Sequence, residues 1–164
     1  MIFVTIGTHP DSFERLVRKM DSIAPQIKEK IIIQRGFTKY TPKNCDYIDF
    51  ADSLEPYFNK ARLVIAHGAI SLVEFAMKHK KSLIIVPRQK SFKEHINDHQ
   101  VEFALFFSEK TGIKAIINID DLTPDFLKKY NKIAIIKRDN LIKLQSYFKE
   151  LFKNLEEQNK QNEK

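Results

Sequence analysis

Little in this chain can staple it or carry it across a membrane. It holds one cysteine, Cys45, so no internal disulfide can form, and a lone thiol fits a reducing compartment. Cys45 lies in a Pro-Lys-Asn-Cys-Asp turn without a second sulfur nearby and reads as a bystander, not a nucleophile. No apolar run approaches the roughly 20 residues that span a bilayer. The opening Met1-Ile2-Phe3-Val4-Thr5-Ile6-Gly7 begins at once with a strand pattern, with no basic leader and no small-residue cleavage site, so a signal peptide is not expected. There is no cluster of basic residues interleaved with aromatics and no standard nucleic-acid motif, so nucleic acid is not an expected partner. Glycine is scarce: the four present all fall at element ends.

What remains describes one soluble domain with a real core: 164 residues, 43% hydrophobic and 30% charged. The net charge of +7 comes from lysines spread along the chain, which reads as a solvated surface.

Strand and helix patterns alternate. Apolar runs at Ile2–Ile6, Lys30–Gln34, Tyr47–Phe50, Arg62–Ala66, Ser82–Val86 and Lys114–Ile117 read as strands. Helical spacing marks Asp11–Ile23, capped by Asp11 or Ser12, and Ser53–Lys60, capped by Ser53. It also marks Ser71–His79, Ile96–Glu109 with Gly112 as its stop, and Asp120–Tyr130. Repeated strand–helix units predict an α/β, Rossmann-like fold: a three-layer parallel sheet with helices on both faces. Residues 1–136 form this domain. An apolar stripe within 137–156 (Leu141, Leu144, Phe148, Leu151, Phe152, Leu155) predicts an amphipathic helix that packs on the domain or a partner, and 157–164 reads as a disordered tail.

Candidate chemistry gathers at strand-to-helix turns, where α/β proteins bind ligands and helix N-termini favour anions. After the first strand, Gly7 allows close backbone approach and Thr8 offers a hydroxyl. In His67-Gly68-Ala69-Ile70-Ser71-Leu72-Val73-Glu74, Gly68 and Ala69 keep the loop small and Ser71 can cap the helix and face a phosphate. Glu74 suits the two hydroxyls of a ribose. In Glu94-His95-Ile96-Asn97-Asp98-His99-Gln100, the mixed donors and acceptors of His95, Asn97, Asp98, His99 and Gln100 suit sugar hydroxyls better than a metal, for which a third ligand and a cysteine pair are lacking. Arg88 adds a cation for a phosphate or a carboxylated sugar. No metal site and no cofactor are expected.

These segments together resemble a known family. Met-Ile-Phe-Val-Thr-Ile-Gly-Thr-His-Pro with Phe13-Glu14-Arg15-Leu16-Val17 is similar to the start of glycosyltransferase family 28 C-terminal-domain proteins. Val86-Pro87-Arg88-Gln89-Lys90 running into Glu94–Gln100 resembles the small exopolysaccharide subunits of the PssE/EpsE type, with the dolichol-pathway UDP-GlcNAc transferase catalytic subunit more distant. The His67–Ser71 loop, one residue shorter than the family's two-glycine form, looks like the Ser-Gly-Ala-Leu-Thr-x-x-Glu form of the peptidoglycan transferase MurG.

The resemblance implies a single GT-B C-terminal-type domain that binds a UDP-sugar. Gly68, Ala69 and Ser71 would line the nucleotide, Glu74 would bind ribose, and His99 and Gln100 would contact the sugar. It further implies a two-component, inverting, metal-independent hexosyltransferase acting on a lipid-linked acceptor. A membrane-associated, acceptor-binding PssD/EpsD-like subunit would supply the general base and hold this chain at the membrane periphery. The alternative is a non-catalytic nucleotide-sugar-binding scaffold or regulator of that partner.

Overall fold

A computed structural model describes residues 1–133 together with Ser146 and Lys153. Apart from those two positions, the expected C-terminal helix and tail lie outside the described residues. Met1–Ala134 form one compact unit.

The elements are β1 (Ile2–Thr5), α1 (Glu14–Ile23), β2 (Ile31–Gln34), β3 (Asp46–Ile48) and α2 (Glu55–Lys60). They continue with β4 (Leu63–Ala66), α3 (Ile70–Lys78), β5 (Ser82–Ile85), α4 (His99–Thr111), β6 (Lys114–Ala115) and α5 (Pro124–Lys129). The six strands form one sheet in the order β3-β2-β1-β4-β5-β6, every neighbouring pair parallel. β1, β4 and β5 are buried along their whole length, as continuous apolar strands covered on both faces must be. On one face Ile2, Val4, Ile33, Leu63, Ile65 and Ile84 pack with Leu16, Val17 and Met20 of α1 and Leu127 of α5. On the other, Phe3 stacks on Tyr57 with ring centroids 5.1 Å apart and meets Phe58 edge-on, and Phe58 in turn meets Phe75 of α3 at 4.7 Å. The α/β Rossmann-like architecture is therefore as expected.

Helix starts differ from expectation, for local reasons. α1 begins at Glu14, and neither Asp11 nor Ser12 caps it. The Phe13 amide donates instead to the Thr38 hydroxyl at 3.0 Å, a partner 25 residues away. α4 begins at His99 instead of Ile96, because the preceding segment is closed as a loop. The Lys90 amide donates to Asp98 Oδ1 at 2.8 Å and the Gln89 amide to Glu94 Oε2 at 3.0 Å. Asp120-Asp121 form only a single 3₁₀ turn capped by Asn118, and α5 starts afresh at Pro124. Thr123, extended before the proline, accepts from the Phe126 amide as its cap. α2 begins at Glu55 and its N-cap position is Leu54, so Ser53 is not its cap; the Ser53 hydroxyl accepts the Glu55 amide at 3.2 Å from one residue further out. Gly112, in the left-handed conformation (φ 72°), ends α4 as expected.

Candidate functional site

In this order successive strands are added outward on one side as far as β3 and then on the other side from β4. The winding therefore switches between the parallel strands β1 and β4, and the crevice beyond their carboxyl ends is where open α/β sheets bind ligands. Gly7 follows β1 and His67 follows β4, so the two turns singled out in the sequence flank this switch point. A cleft of about 660 Å³ opens there. Gly7, Thr8, Ala69 and Ser71 line it, four of the residues proposed from sequence. His9, Pro10, Gln34, His67 and Leu72 line it too, and the loop after β3 adds Phe50, Ala51, Asp52 and Leu54.

The floor of the cleft is built around Gly7. Its φ of +75° favours glycine, and a Cβ placed there would lie 2.3 Å from the His67 ring. The Gly7 carbonyl accepts from Gln34 Nε2 at 3.0 Å, and Gln34 Oε1 accepts the Thr5 hydroxyl at 2.6 Å. A buried glutamine at the end of β2 therefore sets the height of the first turn. Nothing in the local pattern of Ile-Ile-Ile-Gln distinguishes it from the end of a strand. The contact exists only because β2 pairs beside β1, with Gln34 opposite Thr5.

Four of the five histidines, His9, His67, His95 and His99, gather at this edge of the sheet. The rings of His9 and His95 lie 4.8 Å apart, and those of His95 and His99 lie 4.5 Å apart. His67 is 7% exposed, and its Nδ1 has no partner. Burial, with repulsion from Arg88, pushes its pKa down to about 3. Burial and then the neighbouring His99 and His9 push His95 down to about 4, and burial lowers His99 as well. His67 and His95 are therefore neutral at physiological pH and act through hydrogen bonds and shape. Among the described residues no group of three or more His, Cys, Asp or Glu is arranged to hold a metal ion.

Arg88 takes a different place from the phosphate-facing cation expected of it. Its side chain is fully buried. The guanidinium donates to the carbonyls of Ile6 at 3.0 Å, Asp11 at 2.8 Å and Glu94 at 3.1 Å, so it ties the β1–α1 turn to the loop after β5. Beside it Arg15 donates through Nε and Nη2 to the Glu94 carboxylate at 3.0 and 2.9 Å. Among the described residues no lysine or arginine lines the cleft, and Asp52 is the one carboxylate in its lining.

Gly68 is buried outside the lining, where a Cβ would stand 3.0 Å from both the Cβ and the carbonyl oxygen of Gln100. Its role here is to let the β4–α3 loop approach the start of α4. Ser71 is exposed at the cleft and makes no capping bond. Glu74, one turn further along α3, is exposed and outside the lining. Gln100 is buried, its Oε1 accepting the Arg88 amide at 3.2 Å. Asn97 Oδ1 accepts both the backbone amide and the Nδ1–H of His99. Asp98 is occupied by the Lys90 amide. Cys45 stands away from the cleft with its thiol pushed up to about 12, by burial and then by Asp21 and Asp46, as suits a bystander. No helix among the described residues is long and apolar enough to cross a membrane.

Similar architecture occurs in larger proteins. The glycosyltransferase SnogD from Streptomyces nogalater matches with a TM-score of 0.54 at 14% identity, over 79% of this chain and 34% of its own. The kitacinnamycin glycotransferase matches with a TM-score of 0.54 at 15% identity, over 87% and 34%. MurG of Acinetobacter baumannii matches with a TM-score of 0.52 at 17% identity, over 77% and 39%. At these identities the likeness is one of fold, and the chain spans between 34% and 39% of the length of these structures. No curated protein matches the chain. The profile of the glycosyltransferase family 28 C-terminal domain matches residues 1–164. The chain belongs to the glycosyltransferase family 28 C-terminal-domain family.

Proposed function

We propose that this chain is the donor-binding half of a two-component glycosyltransferase of the PssE/EpsE type, moving a hexose from a UDP-sugar to a lipid-linked acceptor. The observation that carries this reading is the cleft at the β1/β4 switch point, lined by Gly7, Thr8, Ala69 and Ser71 and large enough for a nucleotide. Its loop Phe50–Leu54 and Leu72 offer an apolar wall for a base, and the turns at Gly7 and Ala69 offer backbone amides and hydroxyls for a diphosphate. The His95–His99 segment stands beside His9 and suits the sugar. Glu74, i+3 from Ser71 on the same helix, is the candidate for the ribose hydroxyls.

In the proposed reaction the acceptor hydroxyl attacks the anomeric carbon with inversion. The bond from that carbon to the diphosphate oxygen breaks, UDP leaves with the electron pair, and a base takes the hydroxyl proton. Preorganised N–H and O–H donors at the two turns stabilise the leaving diphosphate. The base belongs to a membrane-associated, PssD/EpsD-like partner that presents the acceptor. Each of the similar structures is between two and a half and three times as long as the part this chain matches, which supports a site completed by a second body.

Thermal unfolding with UDP, UDP-sugars, ADP and GDP tests the reading. Uridine nucleotides should raise the melting temperature and purine nucleotides should not. Equal shifts with all, or none, would sink it. Glu74→Ala should weaken UDP binding about tenfold, the scale of a hydrogen bond to a charged group. Turnover of a lipid-linked acceptor by this chain alone would overturn the partner requirement.

A further inference from the structure

His9 was not among the residues singled out from the sequence, yet it lines the cleft next to Thr8. Its hydrogen bonding sets its tautomer. The Asp11 backbone amide, which can only donate, points at His9 Nδ1 at 3.2 Å. The Asp11 carboxylate oxygen Oδ2 also faces Nδ1 but stands at 3.6 Å, beyond hydrogen-bond distance, so the amide decides: Nδ1 is the acceptor, and in the neutral ring the hydrogen sits on Nε2. His99 is held the opposite way. Its own backbone amide, again a pure donor, points at Asn97 Oδ1 at 3.4 Å and so identifies that atom as oxygen. His99 Nδ1 meets the same oxygen and must carry the hydrogen, leaving Nε2 with a lone pair. Between these two rings lies His95, 4.8 Å from one and 4.5 Å from the other.

A diphosphate in this cleft needs donors, and fixed cations are not among the cleft's lining residues. Arg88 is engaged by backbone carbonyls, and Arg15 donates to Glu94 and to the Pro87 carbonyl. The remaining side-chain donors along the wall are the Thr8 and Ser71 hydroxyls and the imidazoles of His9 and His67. His67, over nine-tenths buried against Gly7 with an unpartnered Nδ1, is a second polar group at this wall that lacks a partner of its own.

We propose that His9 is a donor-binding residue, its Nε2–H bonding a phosphate oxygen of the nucleoside diphosphate, and that the Asp11 amide holds it in the tautomer that can do so. His99, held in the other tautomer, presents an acceptor and so faces a hydroxyl, not a phosphate. The row of rings thereby has a direction: the donor end meets the diphosphate and the acceptor end meets the sugar. The inference rests on the nucleotide-sugar reading of the cleft.

Two measurements test it. Long-range proton–nitrogen correlation on the full chain should show His9 as the Nε2–H tautomer and His99 as Nδ1–H; His9 found as Nδ1–H would overturn the proposal. Calorimetric titration with UDP, and with uridine as the probe lacking phosphates, then compares three variants. His9→Asn and His9→Phe, which lack a donor at the Nε2 position, should lose about tenfold in UDP affinity and little in uridine affinity. His9→Gln, whose amide reaches that position, should recover most of the loss. Equal losses for UDP and uridine would indicate a collapsed cleft and overturn the proposal. UDP binding left intact by both His9→Asn and His9→Phe would overturn this inference alone. Absence of UDP binding by the unaltered protein would overturn the nucleotide reading together with it.

Discussion

A methyl group on Gly7 would meet the His67 ring at 2.3 Å while forcing an L-residue to hold φ at +75°. Both terms oppose folding, and backbone strain of this kind costs about 1–3 kcal/mol. Gly7→Ala should therefore lower the melting temperature by roughly 5–10 °C; an unchanged melting curve would contradict the packing described. His67 adds a pH dependence whose sign follows from its neutral burial. In the folded chain it binds no proton until about pH 3, whereas in the unfolded chain it protonates near its ordinary value of 6.5. Below pH 6.5 the unfolded state binds more protons, so stability is fully present above 6.5 and is lost as pH falls toward 3. The slope approaches about 1.4 kcal/mol per pH unit. His95 and His99, also shifted down, act in the same direction. Urea unfolding at pH 7.0 and 5.5 should show a drop that His67→Gln reduces by about 1 kcal/mol. A drop of the same size in the variant would assign it to other groups.

The loop between β5 and α4 is the element on which the site depends. Two arginines and one glutamate hold it. Arg15 reaches it from α1 through Glu94, and Arg88 reaches back from it to the carbonyls of Ile6 and Asp11. Glu94 is 4% exposed at its side chain, and it also accepts the Gln89 amide. Removing one partner of a buried pair leaves the other unpaired and costs about 3–5 kcal/mol. Glu94→Ala should therefore destabilise on that scale, with fast hydrogen exchange appearing across residues 89–98. Glu94→Gln, which keeps an acceptor for the Gln89 amide, should cost less. Protection of 89–98 unchanged in Glu94→Ala would show that the loop is held by something else. α5 shows the same logic in a shorter element. Its position depends on a proline and the extended threonine before it, both readable in the chain, whereas the Asp120-Asp121 pair invited an earlier start.

At the scale of the whole molecule, the parallel sheet and the switch in winding between β1 and β4 create a crevice, and no lysine or arginine of the described residues lines it. The proposed diphosphate site works through backbone and side-chain donors at two turns and not through a metal ion, so chelation should leave it unaffected. UDP at a hundred times its Kd should stabilise the folded state by about 2.7 kcal/mol, and the same shift should persist in excess EDTA. A shift abolished by EDTA and restored by a divalent cation would contradict the metal-independent reading.

The alternation of apolar runs and helical faces was enough to determine the α/β class, because strands buried on both sides must be apolar throughout and their crossover helices must be amphipathic. The same reading located the turns after β1 and β4, since Gly7, Gly68 and Ser71 mark them locally. It could not reveal what each polar residue meets across the sheet. Arg88 reads as a free cation until β5 is placed beside β4, where burial brings its guanidinium against carbonyls 76 to 82 residues away in sequence. Gln34 reads as the end of a strand until β2 lies beside β1 and its amide reaches Gly7. His9 and His67 join His95 and His99 only through the strand order. Contacts within a few residues follow from local chemistry; the histidine row, the arginine clamp and the cleft between β1 and β4 exist because tertiary packing closes distances that the chain itself leaves open.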